Sequence, residues 1–120
     1  MEAHRSMEAC LFCRIARGEI PTQIVHQDDL VTAFRDREPQ APVHVLMIPN
    51  RHVGSAAEIG PGNGALMAAL LVAANRVAEQ EGVAQSGYRL VFNVGADAGM
   101  SVPHLHLHLL GGRALSWPPG

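Results

Sequence analysis

The sequence predicts an α+β domain: a five-stranded antiparallel sheet with one long and one short helix. Three observations carry that prediction. Five short runs of β-branched, aromatic and apolar residues are punctuated by turn signals, residues 65–81 repeat their apolar side chains at helical spacing, and most connections are short. A long helix lying on one face of an antiparallel sheet buries the apolar side of both. At 120 residues the chain makes one such domain and has no room for a second core.

In chain order, residues 1–8 read as a polar, flexible extension, and the domain occupies residues 9–120. Residues 11–17 make a short helix that Gly18 closes and Pro21 keeps closed. Residues 23–26 and 30–34 form a hairpin about the Asp28-Asp29 turn. Two prolines hold residues 38–42 in a loop, and residues 44–48 are a third strand ended by Pro49. A glycine-containing entry at residues 60–64 leads into the long helix, where Leu66, Leu70 and Val77, flanked by Met67, Leu71 and Ala74, share one face. That face reads as core or dimer interface. Gly82 stops the helix after roughly 25 Å at ~1.5 Å per residue, long enough to cross a sheet. Residues 88–94 are a fourth strand, 95–101 a glycine-containing loop, 104–110 a fifth strand, and 111–120 a tail rich in Gly and Pro.

Composition excludes several classes. Hydrophobic residues are 48% and charged residues 17%, a globular rather than a disordered balance. Nine basic against eleven acidic residues give a formal charge of −2, which argues against a nucleic-acid partner. No apolar run approaches the ~20 residues needed to span a bilayer, so no membrane partner is expected. Two cysteines are too few for a disulfide-stapled scaffold, and a reducing, cytoplasmic location is the expectation.

The chemistry concentrates in one segment. His104-Leu105-His106-Leu107-His108-Leu109 alternates without a break, which is the strand period. On a strand the leucines point to the core and the imidazoles to the other face, neighbours about 6.5 to 7 Å apart from a rise of ~3.3 Å per residue. An open strand face normally carries Thr, Lys or Glu, so three imidazoles there point to chemistry. One reading is a three-histidine metal site. The other is imidazole chemistry on an anion, with a neutral histidine as nucleophile. The preceding loop, Gly95-Ala96-Asp97-Ala98-Gly99-Met100-Ser101, favours the second, because its glycines let backbone N–H groups form an anion nest.

His-Leu-His-Leu-His-Leu-Leu resembles the signature of the histidine triad superfamily, in which histidines alternate with apolar residues. The resemblance extends over nearly everything from Cys10 onward, through Phe12, Gly18 to Pro21, Asp28-Asp29, Ala33-Phe34, Pro39-Gln40-Ala41-Pro42, Gly87-Tyr88-Arg89, Asn93 and Gly111-Gly112-Arg113. The ending Trp117-Pro118-Pro119-Gly120 is similar to that of the Hint branch, the histidine triad nucleotide-binding proteins. The resemblance implies a histidine triad fold, a homodimer with a continuous sheet, and hydrolysis of the P–N bond of purine nucleoside phosphoramidates carrying an AMP or GMP moiety. It also leaves two other functions in view: a nucleotide-binding regulatory module, and a dinucleoside polyphosphate hydrolase that the Trp-Pro-Pro-Gly end argues against.

Carried over residue by residue, the resemblance makes His106 the nucleophile that becomes nucleotidylated. His108 contacts the phosphate, His44 lies behind His106 in a relay that sets its tautomer, and His104 completes the constellation. Gly99 and Ser101 match phosphate contacts, Asn93 an amide near phosphate and ribose, and Asp36 the carboxylate that holds the ribose hydroxyls. Phe12, Ile15 and Ile20 match apolar residues around the base, and Trp117 a residue that reaches toward the partner's site. The chain departs from well-known Hint proteins at Met100, in place of a glutamine, and at Arg35 and Arg37, which make the edge of the base pocket more cationic. No cofactor is required for this catalysis.

Cys10-x-x-Cys13 reads as two reduced thiols, as a redox pair lacking its usual βαβ context, or as half of a zinc site. Some bacterial histidine triad proteins carry zinc on such a pair plus two histidines. The matching positions, His52 and His104, imply a structural zinc and make His104 a ligand.

Overall fold

The computed structural model describes residues 9–120. The extension expected over residues 1–8 lies outside the described residues. The sheet has five strands: β1 (Ile24–Gln27), β2 (Val31–Arg35), β3 (Val43–Pro49), β4 (Tyr88–Phe92) and β5 (Leu107–Gly111). Their spatial order is β1-β2-β3-β5-β4, every pairing antiparallel. Helix α1 (Leu11–Ala16) and helix α2 (Gly64–Gln80) lie on opposite faces. This is the predicted α+β architecture. Among the described residues, no helix is long and apolar enough to cross a membrane.

Alternation assigns each face. On the α2 side, Val31, Ala33, Val45, Met47, Leu105, Leu107 and Leu109 pack against Leu70, Ala74, Val77 and Ala78. On the α1 side, Phe34, Leu46 and Ile48 meet Phe12, Cys13 and Ile15. Helix α2 ends where expected: Gly82 takes φ +77°, and the amide of Val83 bonds back to the Ala78 carbonyl at 3.0 Å.

One element differs from its expectation. The strand expected over residues 104–110 begins only at Leu107. Its ladder with β3 runs from Val43↔Gly111 to Met47↔Leu107 and stops there. Continuing it would bring residue 105 opposite Pro49, which has no N–H to donate. The amide of Leu105 turns instead to the Val53 carbonyl at 2.6 Å. His104 and His106 therefore precede the strand and only His108 lies within it. The three rings do not form one evenly spaced row, and the ring centres of His106 and His108 are 5.0 Å apart.

Leu109 is fully buried between β3, β4 and the α2 side of the core. Leu109→Ala is expected to destabilise the fold by about 2–5 kcal/mol, read as a lowered midpoint in urea unfolding.

Candidate active site

The α1 face of the sheet carries a cleft of about 580 Å³. Its lining includes Phe12 and Ile15 from α1, Asp36 after β2, His44 from β3, Gly99 and Ser101 from the loop before the triad, and His106 and His108. The structure thus brings together eight of the residues singled out from the sequence. Asn93 lies just past the end of β4, half-buried and outside the lining, and Ile20 packs against the α1 cluster. Trp117 projects from the tail with 80% of its surface exposed. Met100, between two lining residues, does not itself line the cleft.

Hydrogen bonds define the imidazole tautomers. His106 Nδ1 lies 2.7 Å from the carbonyl oxygen of His104, an acceptor only, so Nδ1 carries the proton and Nε2 keeps the lone pair. The amide of Gln40 donates to His44 Nδ1 at 3.0 Å. His44 must therefore hold its proton on Nε2, which donates to His108 Nδ1 at 2.9 Å. That leaves His108 with Nε2–H, a buried donor without a partner among the described residues. The Asp36 carboxylate stands 3.5 Å from His44 Nε2 and accepts the Glu38 amide at 2.8 Å.

This geometry departs from the expected relay. His44 stands behind His108, and the group that orients His106 is a backbone carbonyl. The register explains it: His108 sits opposite Leu46 on β3, so His44 and His108 are diagonal neighbours on one face. Sequence reasoning missed the Gln40 amide, because a backbone donor has no residue signature. The two prolines framing residues 39–42 were the available signal. It also missed Phe34 and Leu46 as lining, since both read as ordinary strand residues.

Burial disfavours the charged form of His44 and His108. It lowers the pKa of His44, with the nearby Asp36 carboxylate opposing it. For His108, burial is again the largest cause, reinforced by His106 and His44 and opposed by Asp36, and the value falls from 6.5 to about 4. A second expectation changes at Arg35. Its guanidinium makes two bonds to the Glu81 carboxylate, at 2.6 and 2.9 Å, at the end of α2. Arg35 lines the cleft beside Arg37, but its charge is already paired, so Arg37 is the arginine left to give the cleft edge unpaired cationic character.

A second cluster adjoins the cleft. Ligand atoms of Cys10, Cys13, His52 and His104 all lie within 4.8 Å of one another. His104 Nδ1 is 3.3 Å from Cys10 Sγ and 3.5 Å from Cys13 Sγ, and His52 Nδ1 is 3.3 Å from Cys13 Sγ. Two ligands across a tetrahedral zinc, with Zn–S ~2.3 Å and Zn–N ~2.0 Å, are separated by about 3.5 Å. The donor set fits zinc in a further respect. His104 Nε2–H donates to the Pro49 carbonyl at 3.0 Å, which frees Nδ1 as a lone pair and supplies the outer-sphere bond such ligands require. Asp36, His44 and His108 also cluster, but their nitrogens are already bonded to each other.

Comparisons with known proteins agree with this fold. A family model described as the HIT domain matches residues 17–115. The purine nucleoside phosphoramidase of Escherichia coli K12 is 47% identical over 108 residues, covering 90% of this chain and 91% of the relative. A HIT family hydrolase from Legionella pneumophila superposes with a TM-score of 0.91 at 50% identity, covering 92% of this chain and 99% of that one. A zinc-bound histidine triad family protein from Mycobacterium smegmatis superposes with a TM-score of 0.74 at 30% identity, covering 89% and 77%.

The lowered pKa of His108 has a pH consequence. Between about 4 and 6.5 the unfolded chain holds a proton at this ring and the folded one does not, so stability rises with pH across that window. Its contribution is complete above about pH 6.5 and is lost as the pH falls toward 4. Urea midpoints measured at pH 7, 5.5 and 4.5 are expected to decline in that order, and His108→Asn to decline less steeply.

Proposed function

This chain belongs to the HIT domain family, and from that premise we propose that it hydrolyses the P–N bond of purine nucleoside phosphoramidates through a covalent nucleotidyl intermediate on His106. The observation that carries this reading is the bond from His106 Nδ1–H to the His104 carbonyl, which aims an unprotonated Nε2 into the cleft. The name of the 47% identical relative supports the substrate class.

The surrounding groups suit the reaction. Phe12 and Ile15 offer an apolar surface for a purine, and Asp36 accepts hydrogen bonds from ribose hydroxyls. Gly95 and Gly99 take φ +81° and +82° about the short turn Ala96–Ala98, which lets backbone N–H groups approach a phosphate. His108 Nε2–H adds a fixed donor for a phosphoryl oxygen in a water-poor setting. As His106 Nε2 bonds to phosphorus the P–N bond breaks, and the departing amine takes up a proton from solvent, which the attacking water of the second step returns. Water then attacks the phosphorus, releasing the nucleoside monophosphate and regenerating His106. A zinc ion held by Cys10, Cys13, His52 and His104 would have four protein ligands and supply structure rather than Lewis acidity.

His106→Ala is expected to lose turnover while still binding AMP, checked by a phosphoramidase assay beside calorimetry. Full activity in that variant sinks the mechanism. A panel of AMP and GMP phosphoramidates against diadenosine polyphosphates tests the substrate. Uniformly slow turnover would favour a regulatory binding module, and preference for the polyphosphates would replace the phosphoramidate reading.

The reading includes a homodimer. Strand β4 is an edge of the sheet, with its outer backbone groups available to pair with a second copy. Beside it, Leu71 and Val94 are each more than 40% exposed, and Tyr88 of β4 bonds Asn75, one turn along α2 from Leu71. Sedimentation is expected to give twice the monomer mass, and Leu71→Lys to shift the protein toward monomer. A wild-type monomer at micromolar concentration would rule the dimer out.

A further inference from the structure

One residue joins the cysteine cluster to the cleft. His104 gives its ring to the cluster, held at three points by Cys10, Cys13 and the Pro49 carbonyl. It gives its own carbonyl to His106 Nδ1–H. The other end of that same peptide group, the amide of Leu105, donates to the Val53 carbonyl at 2.6 Å. Val53 directly follows His52, another member of the cluster. The peptide plane between residues 104 and 105 is therefore clamped at its oxygen and its nitrogen, and both clamps run back to the four-residue cluster.

We propose that Cys10, Cys13, His52 and His104 are positioning residues for the nucleophile, holding the 104–105 peptide plane so that its carbonyl keeps the proton of His106 on Nδ1. The inference rests on the reading that His106 attacks phosphorus. Because these residues precede β5, no ladder bond to β3 fixes the plane in their place. If the plane turns, His106 loses its acceptor. Its two neutral tautomers then compete, and only the one with a free Nε2 can attack. The alternative role, a staple that merely docks α1, predicts a different defect. Helix α1 carries Phe12 and Ile15, so its displacement weakens nucleotide binding.

His52 separates the two roles. It belongs neither to α1 nor to the segment around the triad, and it does not line the cleft. His52→Ala is expected to lose bound zinc and lower kcat by about tenfold or more, with KM changed by less than about threefold. The hydrogen-bonded Nδ1–H resonance of His106, assigned by its absence in His106→Ala, is expected to weaken or disappear. His52→Cys restores a four-ligand set and is expected to recover zinc, resonance and kcat together. If His52→Ala does not fold, the wild-type chain stripped with a chelator and reloaded with Zn²⁺ or Co²⁺ gives the same comparison, the cobalt bands reporting tetrahedral ligation. A folded, metal-free protein with kcat within twofold of wild type, or with its defect in KM alone, overturns the proposal. Turnover surviving in His106→Ala would instead overturn the reading on which it rests.

Discussion

A strand that buries leucines on one side must present whatever lies between them on the other. In this fold that constraint does most of the arranging. Leu105, Leu107 and Leu109 belong to the α2 core, and the rings interleaved with them face the α1 side. Strand β3 obeys the same rule in register, with Val45 and Met47 on one side and His44 and Leu46 on the other. Apolar burial on one face thus pins imidazoles on the other, and a one-residue slip would exchange core for chemistry.

The cleft sets polar groups in a wall that is largely buried. Isolated imidazoles there would face a desolvation cost on charging, which is why burial lowers the pKa of His44 and His108. Neutral rings still need defined tautomers, and the protein supplies them with backbone groups. A carbonyl directs His106, and an amide, at Gln40, directs His44 and through it His108. Backbone partners do not titrate near neutral pH, so these directions persist where side-chain partners would change charge.

Much of the architecture was legible in the sequence because it follows from local periodicity. The helical face ending at Gly82 and the turn at Asp28-Asp29 appear where the pattern places them, and the period-two run at residues 104–109 puts its leucines in the core although the strand itself starts only at Leu107. What escaped depends on pairing between distant segments. The late start of β5 follows from Pro49, far away in sequence but next in the ladder. The His44–His108 contact is set by register across β3 and β5, and the Arg35–Glu81 pair joins residues 46 apart. The cysteine cluster lies between: the CxxC spacing was visible, while its proximity to His52 and His104 required the fold.

The short fifth strand has a dynamic consequence. His106 sits one residue beyond the last rung shared with β3, in a segment whose backbone is held by a few bonds to loops. Ladder bonds on both sides tie the chain from Leu107 onward into the sheet, whereas the residues just before it depend on bonds to Val53 and Pro49. Global unfolding and local excursions of the segment around His106 are thus governed by separate sets of bonds.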